Sequence, residues 1–188
     1  MKKGLVFGGV IVAIVLFIGI FFASSYNTLV SKEEEVDNKL ADISVQLERR
    51  ADLIPNLVNT VKGYVSHEKE IINSITTSRE KLLGATTVEE KANANEELTK
   101  ALNNLFVIVE NYPDLKSNTN FIQLQDEIAG TENRIAVARK DYNESVKDYN
   151  KTIKSFPKNL IANMFGFEEK EYFEAKETSN DVPEVSFE

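Results

Sequence analysis

The chain opens on a run of 20 residues, Gly4 to Ala23, that carries no charge and is rich in Val, Ile, Leu and Phe. At a helical rise of 1.5 Å per residue this run reaches about 30 Å, the thickness of a bilayer's hydrocarbon core. A cleaved export signal is the alternative, since Lys2 and Lys3 supply a basic start. Such signals have a shorter apolar region and a small-x-small cleavage site. Here the best site, after Ala23, has the bulky Phe21 at its −3 position, and no Cys follows for a lipid anchor. The pattern therefore predicts an uncleaved transmembrane anchor over residues 1–24, meeting the lipid bilayer through residues 4–23.

Beyond the anchor the apolar positions recur with helical spacing. One row runs Leu40, Leu47, Ile54, Val61, Glu68, Ile75, Leu82; a second runs Val36, Ile43, Arg50, Leu57, Tyr64, Ile71, Ser78. Strands would alternate with period two. Pro55 interrupts these rows with Asp52 three residues before it. Asp52 as an N-cap would place Pro55 in a first turn, where its missing N–H costs nothing. This predicts two helices, about 27–50 and 53–83; the alternative is one long helix kinked at Pro55. Gly84 ends the second. A third helix, about 88–112, carries Leu98, Leu102, Leu105 and Val109 and is stopped by Pro113, which disfavours helical geometry in the residue before it. A fourth, about 117–155, repeats Phe121, Ile128, Ile135, Tyr142, Tyr149 and Phe156 every seven residues, beside a row of mostly small residues. A bulky row beside a small one suits close packing at a low crossing angle.

The fold class expected is therefore all-α: an N-terminal transmembrane helix, then an antiparallel up-and-down four-helix bundle over residues 25–156. Residues 157–176, with Phe165, Phe167, Tyr172 and Phe173, read as an aromatic cap on the bundle; docking on the membrane surface is the alternative. Residues 177–188 read as a disordered acidic tail.

Composition narrows the chemistry. The chain has no Cys and a single His, His67, which excludes disulfide scaffolds, thiolate metal sites and histidine-rich metal centres. Removing Lys2 and Lys3 from the 22 Lys+Arg leaves 20 against 30 Asp+Glu, a net charge of −10 for the part beyond the anchor. That argues against nucleic acid as a partner. No Gly-rich phosphate loop and no Gly-x-Ser-x-Gly elbow occurs. No catalytic residue, cofactor, metal ligand or small-molecule site is predicted. Lys2 and Lys3 before the anchor and the acidic run after it place the N-terminus in the cytoplasm and the bulk of the chain outside.

Three groupings depart from a plain bundle. Arg50 falls on a mainly apolar row, beside Arg49 and close to Asp52. Tyr142-Asn143 recurs one heptad later as Tyr149-Asn150. Glu132, Arg134 and Arg139 share the last long helix. Together, Arg49, Arg50, Asp52, Arg134, Arg139, Tyr142, Asn143, Tyr149 and Asn150 form a candidate polar interaction cluster. The plainer reading is that each Tyr buries its ring and each Arg pairs with a carboxylate.

The run from Gln46 to Val58, His67-Glu68, the run from Glu110 to Leu115, Glu132 to Asn143, Ser155 to Asn159 and Phe165-Gly166-Phe167 resemble the LemA family. The resemblance implies a bacterial single-pass membrane protein with an up-and-down helical bundle and no established catalytic residues. It also favours a helical hairpin at Asp52–Pro55. One branch of the family is associated with magnetosome membranes, which implies a role in membrane organisation. The function expected is a non-enzymatic, extracytoplasmic interaction or envelope-organising module of the bacterial cell membrane, with a protein partner or self-association. The alternatives are a cytoplasmic-facing sensory or signalling bundle and an envelope hydrolase.

Overall fold

A computed structural model describes residues 2–65 and 68–175, with side chains from Phe7 onward. His67 and the predicted tail over 177–188 lie outside the described residues. The chain is all-α, with six helices among those residues: α1 (Lys2–Lys62), α2 (Lys69–Gly84), α3 (Val88–Val109), α4 (Pro113–Lys116), α5 (Thr119–Lys154) and α6 (Lys158–Phe165). α1 is long and apolar enough to cross a membrane. In that apolar stretch Phe7, Phe17 and Ile20 are all at least 70% exposed, as a lipid-facing surface would be.

The predicted hairpin at Asp52–Pro55 is not formed. α1 runs unbroken through Pro55 to Lys62, and the chain turns at Gly63 instead. Asp52 is exposed within the helix and caps nothing. A proline inside a helix leaves the carbonyl four residues earlier without its donor. Here that carbonyl belongs to Ala51, and the Arg79 side chain from α2 supplies the missing bond, Nε donating at 2.8 Å. Ile54, Leu57 and Val58 flank the proline and are buried, so packing holds the helix on both sides of it.

The remaining limits follow local rules. Thr87 caps α3 in a reciprocal box: its hydroxyl accepts the Glu90 N–H at 3.1 Å, while the Glu90 carboxylate accepts the Thr87 N–H at 3.1 Å. α3 ends at Val109, three residues short of the expected limit, and Pro113 opens the single-turn α4. Asn118 then starts α5, its side-chain oxygen accepting the Phe121 N–H at 3.1 Å.

The helices form two compact units. In the first, Ser44–Val137 with the segment from Tyr172, four long helical stretches and the single-turn α4 lie together. Arg79 of α2 reaches Ala51, and Lys81 of α2 pairs with Glu97 of α3. Tyr64 at the end of α1 meets Asn118 at the start of α5, while Gln46 of α1 meets Arg134 of α5. The pairs 64–118 and 46–134 make α1 and α5 antiparallel, in keeping with the expected helical bundle. Leu47, Ile54, Ile75, Leu82, Leu98, Leu102, Ile128 and Ile135 fill its core.

In the second unit, the residues up to Ile43 with Ala138–Glu171, the first part of α1 runs antiparallel to the last part of α5. Lys32 pairs with Asp148, and Lys39 lies 3.9 Å from Asp141. Leu29, Val36, Ile43, Val146 and Ile153 are buried between them. α6 follows α5, and Gly166 ends it in the left-handed conformation (φ 75°), which residues with a side chain rarely adopt. Residues 167–175 carry no regular secondary structure.

Candidate functional site

The candidate polar residues separate into two buried clusters and an exposed remainder. Arg50, on the inward row of α1, is only 2% exposed. Its Nη1 donates to Asn95 Oδ1 at 2.6 Å and Thr99 Oγ1 at 3.0 Å, both on α3, and lies 2.5 Å from Glu132 Oε2 on α5. Burial pulls the guanidinium pKa down and the Glu132 charge pushes it back up. One cation thus ties three helices of its unit together.

The second cluster lies on α5. Tyr142 and Tyr149 are the largest fully buried side chains, as their heptad position predicts. The Tyr142 hydroxyl donates to the Glu171 carbonyl at 2.8 Å. Asn150 treats the main chain of Lys170 as a second peptide group would. Its Nδ2 donates to the Lys170 carbonyl at 2.9 Å, and its Oδ1 accepts the Lys170 N–H at 3.0 Å. The Lys170 ammonium sits 3.0 Å from Glu33 and 3.4 Å from Asp37 on α1. Residues 167–171 therefore form a strap fastened to both long helices of this unit. Burial pushes the Tyr142 hydroxyl up to about 12. Tyr149, whose buried hydroxyl has no hydrogen-bond partner, is raised by burial and then by Glu33. Burial lowers the Lys170 ammonium, but Glu33 and Asp37 outweigh it and hold the group above the usual lysine value.

Arg49, Asp52, Arg134 and Arg139 are exposed, and Asn143 is half-buried. Arg134 Nε donates to Gln46 at 3.1 Å. Asn95, Thr99, Glu33, Asp37 and Lys170 are partners that periodicity did not single out, because each becomes polar-buried or paired only through a residue distant in sequence. Among the described residues no group of three or more acidic or imidazole side chains is gathered for a metal ion.

The LemA family model matches residues 39–187, a span that includes Arg50, Glu132, Tyr142, Asn150 and the strap. The chain belongs to the LemA family. Among its LemA-type relatives, Magnetosome protein MamQ 2 of Paramagnetospirillum magneticum is 27% identical over 187 residues, covering 86% of this chain and 68% of that protein. Magnetosome protein MamQ of Magnetospirillum gryphiswaldense is 26% identical with the same coverage. Protein LemA of Metamycoplasma hominis is 29% identical over 136 residues, 69% of this chain and 61% of that protein. None of these three names describes an enzymatic activity. This LemA-family chain is a helical, membrane-associated protein with bacterial relatives.

Proposed function

We propose that the protein is a membrane-anchored, non-enzymatic bundle that faces away from the cytoplasm and organises the envelope by binding a protein partner or another copy. The observation that carries this reading is α1, one unbroken helix leading from the apolar run into residues that line both buried clusters. Arg50 and Asn150, both buried, are engaged by the chain's own helices and strap, which favours a scaffold over a catalyst. Two of the relatives named above are magnetosome proteins, which supports a role at a membrane. The orientation rests on Lys2 and Lys3 preceding the apolar run, with acidic residues after it.

The protein lacks cysteine, so Val107→Cys, at an exposed α3 position, gives one labelling site. A membrane-impermeant maleimide is expected to label it in intact cells of a single-membrane bacterium, or in spheroplasts where an outer membrane is present. Labelling only after lysis would reject the extracytoplasmic orientation and favour the cytoplasmic sensory reading. Photo-crosslinking from exposed positions in intact cells is expected to trap a discrete protein adduct. Its absence from every position tried would count against an interaction module.

A further inference from the structure

α6 and the residue before its proline present an apolar surface beside the exit of the anchor. Phe156 is 81% exposed, and Leu160, Met164 and Phe165 are each more than half exposed. The opposite side of α6, Ile161 and Ala162, is buried, so the helix spends one face on its own unit and leaves the other open. Two contacts fix where this surface lies along α1. Phe21, inside the charge-free run, lines a shallow groove together with Phe156, Pro157 and Lys158. Tyr26, three residues beyond Ala23, packs its ring against Phe165 at 4.8 Å and Phe167 at 5.8 Å. Along the α1 axis these levels lie about 3 Å inside and 4.5 Å outside Ala23, which brackets the end of the hydrocarbon span. A tyrosine at that depth suits the boundary between acyl chains and headgroups.

We propose that α6 is an interfacial helix that seats Phe156, Leu160 and Met164 in the acyl–headgroup boundary of the bilayer that holds the anchor. The occupant is lipid because the surface continues the lipid-facing side of α1 at the same level. Lys151 and Lys158, which line the same groove as Phe21, stand where headgroup phosphates would be. The chain as a whole is acidic, so insertion is driven by buried apolar area rather than by attraction to anionic lipid. The inference rests on the membrane anchor but holds for either orientation of the bundle.

The test uses the full chain in proteoliposomes of phosphatidylcholine, with and without phosphatidylglycerol. Single cysteines at Phe17, Glu144, Leu160 and Met164 carry an environment-sensitive fluorophore, and the acyl chains are brominated near the headgroup or near the bilayer centre. Probes at 160 and 164 are expected to emit blue-shifted and to be quenched by the headgroup-proximal bromines, equally in both lipid mixtures. The probe at 144, on α5 more than two turns before Phe156, is expected to stay at the aqueous background. Quenching at 17 with none at 160 and 164 overturns the inference and leaves the anchor standing. No quenching at any site overturns the anchor and this inference with it. A blue shift at 160 that is insensitive to brominated lipid, and lost when the protein is diluted in lipid, shows a second copy on this face and also overturns it.

Discussion

The Arg50 cluster yields a test with an asymmetric outcome. Glu132→Gln keeps the shape and removes the charge, leaving a guanidinium 2% exposed with neutral acceptors in place of a carboxylate. Removing one partner of a buried ion pair costs about 3–5 kcal/mol. The Glu132 side chain is 40% exposed and two other acceptors remain, so water and these groups soften the loss to about 2–3 kcal/mol. Arg50→Met removes the ion that is expensive to bury and lets Glu132 turn to solvent. Its main penalty is the stranded Asn95 oxygen, about 1–2 kcal/mol. In the double variant the amide at position 132 is partly exposed with nothing to pair, so it adds within about 0.5 kcal/mol of Arg50→Met alone. The coupling between the two positions is then about 2 kcal/mol. Denaturant unfolding in detergent micelles, followed by helical circular dichroism at unchanged m-value, measures all four corners of the cycle. Additive single effects, or Arg50→Met costing more than Glu132→Gln, would refute the idea that Glu132 is there to neutralise a buried cation.

Three further outcomes are expected. Tyr142→Ala should cost on the order of 3 kcal/mol, whereas Tyr142→Phe, which loses only the bond to the Glu171 carbonyl, should cost about 1 kcal/mol in the same unfolding assay; near-equal costs would mean that the hydroxyl, not the ring, dominates. The strap should loosen at alkaline pH. Tyr142 titrates at about 12 when folded against 10.0 unfolded, so its contribution is complete below pH 10 and lost as pH rises through 12. Lys170, also raised, acts in the same direction. A tyrosinate absorbance titration should show a late step that Tyr142→Phe abolishes, and a profile with every tyrosine ionising near 10 would contradict the burial argument. Thr87→Ala should cost about 1 kcal/mol and speed hydrogen exchange in the first turn of α3; unchanged exchange there would show that the cap contributes nothing.

The sequence made the helical class, the apolar anchor and the buried faces legible, because each depends on spacing within one segment. The seven-residue repeat placed Ile128, Ile135, Tyr142 and Tyr149 inside but failed at Phe156, which lies beyond the end of α5 and is exposed. The helix end near Lys62 was also written locally, in a glycine after a basic residue, but Pro55 offered a louder signal. That signal misled because the donor that rescues the Ala51 carbonyl, Arg79, lies 28 residues further on. The strap was hidden for the same reason. Residues 167–171 read as part of an aromatic cap, while what fastens them is an asparagine 20 residues earlier and two acids on α1. Polar pairs of this kind have no period, so only the folded chain brings them together.

Pro55 has a consequence for alignment between neighbouring helices. Elsewhere in an α-helix interior each carbonyl already accepts a backbone N–H and has only its second lone pair to offer an adjacent helix. By withholding its own donor, Pro55 singles out the Ala51 oxygen as an address on α1 that Arg79 reads. Apolar side chains tolerate a slide of one turn, about 5.4 Å, because similar residues recur at that interval. The address does not recur, so a slipped α2 would strand both the carbonyl and the guanidinium. A residue that ordinarily ends helices thus acts as a notch that fixes how far α2 can travel along α1.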